Sequence, residues 1–557
     1  MNVLWIMADQ LRWDYLSCYG AQHIDTPNLD WLAGRGMRFN RAYVQSPICG
    51  PSRMSFYTGR YVRSHGSTWN GFPLRIGEIT LGDYLRELNV KCSLVGKTHM
   101  TTDVEGMKRL GIDPNSEIGA LVSECGFDVF VRDDGTNPTI YPNRHGEDYD
   151  QYLREHGMDG DNPWEEWANT GIGADGEAVS GWLLENAPYP ARVPKEHSET
   201  AWLTTRGIEY IEAQGDQPWL CHLSYIKPHW PYLAPAPYND MYSAADVPPV
   251  NRSTGEQQSD HPLMQAWMDM RVSKTFSRDD IRDLVAPVYM GLIKELDDQM
   301  GRLFSYLKDS GRMDDTMIVF CSDHGDNMGD HWLGEKDLFH DCSARVPLIV
   351  YDPRSGADAT RGGNSNLLVE GIDLTPTFVD FFGGNSKPHI VEGRSLLPIL
   401  HGEMSDDSYI AGSVGDHKSS TAEKPWRSFC VSEYDYATRD SRRAAGVDQN
   451  DARLVMLFDG RWKYIHVETM RPLLFDLKND PDELLDLGAD PAYADTLERM
   501  REAHFAWSRQ HHNRTTLSAE IIESMTDDKE PPGILIGFTN RTELEDHDLE
   551  LPPHVRR

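Results

Sequence analysis

The sequence predicts an α/β protein: a large, mixed, mostly parallel sheet sandwiched by helices, followed by a smaller C-terminal α+β domain. Up to about residue 400, short apolar runs alternate with helical patterns, the order typical of strands joined by covering helices. After about residue 405 the pattern changes to a hairpin followed by a helix. The 557 residues also exceed the roughly 250 to 300 that one core holds unless a large sheet organises it.

The strand candidates of the first part are apolar runs of four to eight residues. They are residues 3–8, 90–95, 219–225, 317–321 and 346–351. Residues 291–308 carry leucine and methionine at a spacing of three to four, which predicts a buried helix face. Residues 101–194 are rich in Gly, Asp, Asn and Trp and show little periodicity, so we expect long loops over one end of the sheet.

The C-terminal part begins with a strong hairpin signal. Residues 453–458 and 461–466 flank an Asp459-Gly460 turn, and a helical stretch follows at 492–510. We therefore predict a catalytic-sized domain at 1–404, a small domain at 405–514 and an extended tail at 515–557. The tail has four prolines and few apolar residues, and we expect it to lie at the interface of a homodimer or homotetramer.

Composition excludes several classes of function. A formal net charge of -34 argues against a protein that binds nucleic acid or an anionic membrane surface. No stretch approaches the roughly 18 apolar residues of a membrane span, and the start lacks the positive region of a signal peptide. Eight scattered cysteines indicate single thiols in a reduced, cytoplasmic protein. An anionic substrate would need positive charge concentrated in one pocket.

The most informative motif is Cys49-Gly50-Pro51-Ser52-Arg53. Pro51 suits the first helical position, which would put Cys49 at a helix N-terminus, where free N–H groups attract an anion. An isolated Cys-x-Pro-x-Arg is as typical of a buried cysteine before a helix, so the neighbouring motifs decide its meaning.

Together with Thr58-Gly59-Arg60, this motif resembles the signature of the sulfatase family within the alkaline phosphatase superfamily. Tyr57 departs from the signature, where an aliphatic residue is more usual. Other segments resemble family landmarks in their usual order: Asp9-Gln10, Cys18-Tyr19-Gly20, Thr26-Pro27-Asn28-Leu29, Asp373-Leu374-Thr375-Pro376-Thr377 and Leu474-Phe475-Asp476-Leu477. The resemblance implies that a formylglycine-generating enzyme converts Cys49 to formylglycine.

The resemblance also implies one divalent metal ion. Asp9 follows one predicted strand and Asp323 and His324 follow another, so their side chains are expected at the ligand-binding edge of the sheet. With the hydrated formylglycine at position 49 they would form the ligand set, and Gln10 would add an amide oxygen. Many relatives have Asp and Asn in place of Gln10 and His324, a set of oxygens that suits Ca²⁺. An imidazole shifts the preference toward Mn²⁺, and Zn²⁺ is an alternative.

Four further cationic or titratable residues match positions that handle the substrate in relatives. Lys97 and His99 follow the strand at 90–95 and resemble the second sulfatase signature, whose side chains hold sulfate oxygens. His229 resembles the histidine that protonates the leaving group, and Lys336 the lysine after the metal-binding strand. Taken singly, each is also typical of a solvated loop side chain.

The predicted activity is arylsulfatase-like hydrolysis of a small sulfate ester. A hydroxyl of the hydrated formylglycine attacks sulfur, Arg53, Lys97, His99 and Lys336 stabilise charge on the sulfuryl oxygens, and the covalent sulfo-enzyme then collapses to the aldehyde. The closest alternative is a phosphonate monoester hydrolase or phosphodiesterase, which typically has neutral Tyr and Thr in place of Lys97 and His99. Side activity on phosphonates and phosphodiesters is expected in either case. A non-catalytic, metal-binding homologue with unmodified Cys49 is the alternative of another class.

Overall fold

The computed structural model describes residues 1–138, 147–406, 426–509 and 517–525, with residues 542 and 544. These residues divide into two compact units, Met1–Ser386 with Val391–His511 and Lys387–Ile390 with His512–Arg557. Most of the predicted tail lies outside the described residues. Within the described part of the chain, every helix is too short or too polar to span a bilayer.

Seventeen strands are found in the described residues, and they form four sheets. In chain order they are β1 (Asn2–Asp9), β2 (Met37–Phe39), β3 (Ala42–Tyr43), β4 (Lys91–Gly96), β5 (Asp128–Arg132), β6 (Thr170–Ile172), β7 (Ala178–Ser180), β8 (Trp219–Pro228), β9 (Thr316–Ser322), β10 (Arg345–Val346), β11 (Leu348–Tyr351), β12 (Asn364–Ser365), β13 (Val369–Glu370), β14 (Cys430–Asp435), β15 (Arg453–Phe458), β16 (Trp462–Val467) and β17 (Leu473–Asp476).

The central sheet has eight strands in the order β12-β2-β11-β9-β1-β8-β4-β5. Strands β9, β1, β8, β4 and β5 pair in parallel, whereas β11 pairs antiparallel with both β9 and β2. The predicted mixed, mostly parallel sheet is therefore confirmed. The single strand expected at 346–351 is instead divided at Pro347, which lacks the N–H needed for continuous pairing.

The described residues form eighteen α-helices, some of which cover the two faces of this sheet. They are α1 (Pro27–Ala33), α2 (Cys49–Thr58), α3 (Val62–His65), α4 (Leu81–Glu87), α5 (Val104–Leu110), α6 (Glu117–Val122), α7 (Glu147–Glu155), α8 (Glu199–Ala213), α9 (Thr254–Gln257), α10 (Pro262–Met268), α11 (Arg271–Phe276), α12 (Asp279–Asp309), α13 (Asp341–Ala344), α14 (Leu374–Phe381), α15 (Leu397–Leu400), α16 (Asp440–Ala444), α17 (Ala494–Arg509) and α18 (Ala519–Met525).

Strand β1 lies in the middle of the sandwich, and all eight of its residues are buried. Its side chains alternate between two hydrophobic clusters. Leu4 and Ile6 belong to the cluster that contains Leu292 of α12, while Trp5 belongs to the one that contains Phe378 of α14. Burial on both faces explains why β1 is a continuous apolar run rather than an alternating one.

The segment at 101–194 is more ordered than its composition indicates. It contributes β5 to one edge of the central sheet, the antiparallel pair β6 and β7, and helices α5, α6 and α7. Strand β5 was missed because Asp128 and Arg132 interrupt the apolar run and three of its five residues are exposed. An edge strand needs little apolar sequence, because a single neighbour supplies its backbone hydrogen bonds.

The C-terminal part contains a four-stranded antiparallel sheet in the order β14-β15-β16-β17. The Asp459-Gly460 turn joins β15 to β16 as predicted, and Gly460 has a φ of 83°, which a glycine adopts without strain. Met500 and Trp507 of α17 are buried in the same hydrophobic cluster as Leu457 and Tyr464 of this sheet. A small α+β region therefore follows the large sheet.

Burial of one acid on α12 makes the stability of the fold depend on pH. Glu295 is 1% exposed and accepts a hydrogen bond from Ser198. Burial raises its pKa from 4.5 to about 7, against the opposing effects of Ser198 and Lys227. The folded state holds the proton of Glu295 more tightly than the unfolded state does. The contribution of this proton to stability is therefore complete below pH 4.5 and is lost as the pH rises to about 7.

We therefore expect Glu295→Gln to gain stability relative to the wild type as the pH rises. The difference in free energy of unfolding between the two proteins should grow by up to about 3 kcal/mol between about pH 5 and about pH 8. Urea denaturation at both pH values, with the same metal concentration throughout, measures this difference. If the difference in free energy of unfolding does not change with pH, Glu295 has the same pKa in the folded and unfolded states, which would contradict the prediction.

Candidate active site

Polar side chains from four parallel strands meet at one edge of the central sheet. Asp9 is the last residue of β1, Lys97 follows β4 directly, and Asp323 follows β9 directly. His229 comes directly after β8. Because the carboxyl ends of parallel strands lie at the same edge, the fold brings these side chains into one buried cluster around Cys49.

Cys49 is the first residue of α2, with Ile48 as the N-cap. It is 1% exposed, and its Sγ lies 3.0 Å from His324 Nε2, 3.2 Å from Lys336 Nζ and 3.8 Å from Asp9 Oδ1. Pro51, expected at the first helical position, is at the third, where its missing N–H still costs no intrahelical bond. The Cys49 side chain thus stands at a helix N-terminus among cations.

Asp9, Cys49, Asp323 and His324 form a buried set of ligand atoms that all lie within 4.8 Å of one another. His324 Nδ1 donates to the Gly325 carbonyl at 2.9 Å, which leaves Nε2 as the acceptor facing the set. Two carboxylates and one imidazole are suitable ligands for a divalent cation. The site therefore fits one metal ion.

The two carboxylates show why a cation belongs there. Burial and the neighbouring Asp9 raise the pKa of Asp323. Burial and Cys49 act to raise the pKa of Asp9 as well, but Lys97, His229 and Arg53 outweigh them and hold it well below its usual range. A divalent cation held by both groups would offset their mutual repulsion and favour ionisation of Asp323 as well.

Arg53 is hydrogen-bonded to both carboxylates of the cluster. Its Nε donates to Asp323 Oδ2 at 2.8 Å and its Nη2 to Asp9 Oδ2 at 3.1 Å. The remaining donor, Nη1, reaches Ser224 Oγ at 2.7 Å and the Lys97 carbonyl at 2.9 Å. The guanidinium is fully buried, so it orients both carboxylates in a fixed geometry.

Lys97 and Lys336 bring two more positive charges. Lys97 Nζ lies 2.7 Å from Asp9 Oδ2. The preceding Gly96 has a φ of 110°, and a side chain there would collide with the Ser224 carbonyl, so only glycine permits the turn that delivers Lys97. Lys336 Nζ contacts Cys49 Sγ and lies 3.2 Å from Gln10 Oε1.

Gln10 is held by its amide nitrogen. That nitrogen donates to Asp326 Oδ2 at 2.5 Å and to the Tyr232 hydroxyl at 3.4 Å, so the amide oxygen points back toward Lys336. Gln10 also has a φ of 65°, and its backbone N–H donates to Asp323 Oδ1. The oxygen predicted as a possible ligand is thus at the site, hydrogen-bonded to a lysine.

His229 has a defined tautomer. Its Nδ1 lies 2.6 Å from the Trp230 carbonyl, which only accepts hydrogen bonds, so Nδ1 carries the proton. Its Nε2 faces Lys336 Nζ at 3.2 Å. Burial, with Lys336 as the next cause, lowers the pKa of His229 to about 4. An anionic substrate would oppose this effect.

His99 lies two residues beyond Lys97 and is half-buried. Its backbone N–H donates to Asp134 Oδ1 at 3.1 Å, and its φ is 55°. Among the described residues, Nδ1 of its ring has no hydrogen-bond partner. The loop thus fixes the backbone of His99, while Nδ1 of its imidazole is left without a hydrogen bond to the described residues.

Four supporting residues were not predicted from the sequence. Asp326 and Tyr232 hold Gln10, Ser224 accepts from Arg53, and Asn70 Oδ1 accepts from the Gly50 N–H at 2.7 Å. Asp326 was visible as the second aspartate of Asp323-His324-Gly325-Asp326, and Ser224 as a polar residue at the end of a buried strand. Asn70 lies in a loop with no pattern that would mark it.

Comparison with known proteins places this site in a family. The family model described as Sulfatase matches residues 1–384. A relative named "Multifunctional alkaline phosphatase superfamily protein PehA", from Trinickia caryophylli, is 32% identical and covers 92% of this chain and 96% of its own. An arylsulfatase of Clostridium perfringens is 26% identical, covering 90% of this chain and 93% of its own.

Two solved structures extend the likeness to three dimensions. A phosphonate monoester hydrolase from Silicibacter pomeroyi is 28% identical and gives a TM-score of 0.77. A phosphonate monoester hydrolase of Agrobacterium radiobacter is 30% identical and gives 0.76. Each comparison covers 92% of this chain and 96% of the other. The similarity therefore includes both the large sheet and the C-terminal region.

Proposed function

The chain belongs to the sulfatase family, and on that basis we propose that it hydrolyses aryl sulfate esters, with further activity on phosphonate monoesters and phosphodiesters. One observation carries the proposal. In a protein of net charge -34, Arg53, Lys97 and Lys336 gather around one buried cysteine. With two carboxylates and a divalent ion, these groups leave a positively charged pocket, which suits a substrate whose reacting group is an anion.

We propose that Cys49 is converted to formylglycine by a formylglycine-generating enzyme. In the mature protein, the Sγ position would hold an oxygen of the hydrated aldehyde. Asp9, Asp323 and His324 would hold a divalent metal beside it, with Mn²⁺ or Ca²⁺ as first choices and Zn²⁺ as an alternative. Such an ion acidifies a neighbouring hydroxyl and withdraws charge from the substrate.

The chain's own residues then define the reaction geometry. Arg53 fixes Asp9 and Asp323, and through them the position of the nucleophile. Lys97 contacts Asp9 and Lys336 contacts Cys49, so both are placed to hold the non-reacting oxygens of the sulfuryl group. His99 follows Lys97 by two residues and would also bind a sulfuryl oxygen. Its Nδ1, which has no hydrogen-bond partner among the described residues, leaves the ring free to do so.

The proton for the leaving group comes from His229 and Lys336. Because Nδ1 of His229 is bound to the Trp230 carbonyl, only Nε2 can face the departing oxygen. Lys336 Nζ lies 3.2 Å from that nitrogen, so Lys336 and His229 share a proton. Binding of an anion favours the protonated pair, which then protonates the alkoxide or phenoxide.

A phosphonate monoester hydrolase is the second candidate. It is favoured by the TM-scores of 0.77 and 0.76 with two enzymes of that name. The two functions differ in the third non-reacting substituent, which is an oxygen in a sulfate ester and an organic group in a phosphonate. Lys97 and His99 suit the oxygen, because a cation there needs an acceptor.

We expect the double substitution Lys97→Tyr with His99→Thr to shift the substrate preference toward phosphonates. The kcat/KM for 4-nitrophenyl sulfate should fall by about 10²- to 10³-fold, since two hydrogen-bond contacts to the third oxygen are lost. The factor by which kcat/KM falls for a phenylphosphonate monoester should be about tenfold smaller than the factor for the sulfate. Steady-state assays of both substrates, on protein whose Cys49 modification has been measured, test this.

Lys91→Tyr, at the opposite end of β4, is the matched control and should leave the ratio unchanged. If the wild type prefers the phosphonate and the double variant does not alter the ratio, the second candidate replaces the first. Fully modified, metal-loaded wild type that turns over neither substrate would overturn both.

A further inference from the structure

Lys227 closes the loop that carries His229. Its Nζ donates to the His229 carbonyl at 3.2 Å and to the Pro231 carbonyl at 2.8 Å. The ammonium therefore joins two carbonyls of the loop that lie two residues apart. Neither carbonyl has a place in a sheet ladder. The Pro231 carbonyl accepts one backbone hydrogen bond, from the Leu233 N–H at 3.0 Å, and the lysine adds a second bond there and a bond to the His229 carbonyl.

Lys227 also lines a small cavity. The cavity has a volume of about 30 Å³, room for a water molecule. Lys227, Glu199, Glu295 and Ser198 are among its lining residues. Glu199 and Glu295 are 6% and 1% exposed. Burial lowers the pKa of Lys227, and these two acids partly oppose that effect by favouring its charged form. The ammonium is thus held by the two loop carbonyls and lies near two buried acids.

A chain of contacts links this cavity to the chemistry. Lys227 fixes the carbonyls of His229 and Pro231, which fixes the peptide between them. That peptide carries the Trp230 carbonyl, which accepts from His229 Nδ1 at 2.6 Å. The bond sets the tautomer and the ring angle, and so aims Nε2 at Lys336 and the position of the leaving group.

We propose that Lys227 is a positioning residue for proton transfer to the leaving group. It touches neither substrate nor metal and acts through the loop of His229. The proposal rests on the proposed function in one respect, namely that His229 protonates the departing oxygen. A purely structural lysine would lower the turnover of every substrate alike, whereas a positioning residue affects most strongly the esters that need a proton.

The dependence on the leaving group separates these two roles. We would compare kcat/KM for 4-nitrophenyl sulfate, whose leaving group needs little protonation, with that for phenyl sulfate. His229→Ala should raise the ratio of the two by about 10- to 100-fold. Lys227→Met should raise it in the same direction by at least about fivefold, and Lys227→Arg, which keeps donors, should stay near the wild type. If the wild type cleaves only phosphonates, the corresponding two phosphonate esters replace the sulfates.

The double variant provides the decisive comparison. If Lys227 acts through His229, adding Lys227→Met to His229→Ala should leave the ratio unchanged. Lys294→Met, which removes a partly buried lysine from α12, controls for loss of a cation and should not alter the ratio. Lys227→Gln, with two amide donors, replaces the methionine variant if that protein does not fold. A proportional loss on both substrates, or multiplied ratios in the double variant, would overturn the proposal.

A crystal structure of the Lys227→Met holoenzyme tests the positioning without any turnover. The expected result is loss of the bond between His229 Nδ1 and the Trp230 carbonyl, with rotation of the ring. An unchanged loop would overturn the inference, whatever the substrate proves to be. If instead the loop moves but His229→Ala leaves the ratio unaltered, the assignment of His229 in the proposed function is wrong and the structural role of Lys227 stands alone.

Discussion

Replacing Cys49 by alanine should lower kcat by at least about 10⁴-fold, because the residue supplies the nucleophile and no neighbouring side chain replaces it. The geometry makes this the most sensitive position in the chain. Its Sγ touches a candidate metal ligand, His324, and a lysine, Lys336, within 3.2 Å. An alanine there leaves the pocket and its charges intact, so substrate should still bind.

The mass of the peptide that contains Cys49 checks the cause. Conversion of the thiol side chain to an aldehyde lowers the mass by roughly eighteen daltons. The activity of wild-type preparations should rise in proportion to the modified fraction. Cys221→Ala, which removes a buried thiol from β8, should keep full activity. Fully active protein that retains an unmodified thiol at position 49 would contradict the proposed nucleophile.

The fold could be predicted where burial on two sides leaves a continuous apolar signal. Strand β1 and strand β9 extend only one or two residues beyond the predicted runs, because each is covered on both faces. The signal fails at the sheet edge, where β5 carries charged residues and exposed side chains. It also fails for α12, which begins at Asp279 rather than near 291 and contains Pro287, a residue that usually interrupts a helix.

The candidate site could be predicted as a set of strand ends, because each chemical group follows an apolar run directly. Asp9, Lys97, His229 and Asp323 were all found in this way. The sequence gives no information on which groups hold them. Arg53 binds both Asp9 and Asp323, and Lys227 supports the loop of His229 through its carbonyls. The links of Arg53 join residues more than forty positions apart, and only the folded chain shows them.

Asp323→Asn should remove the metal ion and lower kcat/KM by at least about 10³-fold. An amide cannot balance the charge of a divalent ion, and Asp323 also anchors Arg53 at 2.8 Å. The metal content of the purified variant, measured by plasma mass spectrometry, should fall well below that of the wild type. Thermal unfolding provides a second readout. An ion that binds only the folded state stabilises it by about 4 kcal/mol when the free ion is at a thousand times its Kd, and this raises the melting temperature.

A chelator should therefore lower the melting temperature of the wild type and leave that of Asp323→Asn unchanged. Asp326→Asn is the matched control, since Asp326 lies three residues away and binds Gln10 rather than the proposed ion. It should keep the response to chelator and lose about 10- to 100-fold in activity, as expected when a supporting residue is removed. If both variants respond to chelator like the wild type, Asp323 is not a ligand, and the ion must be held by Asp9 and His324 with other groups.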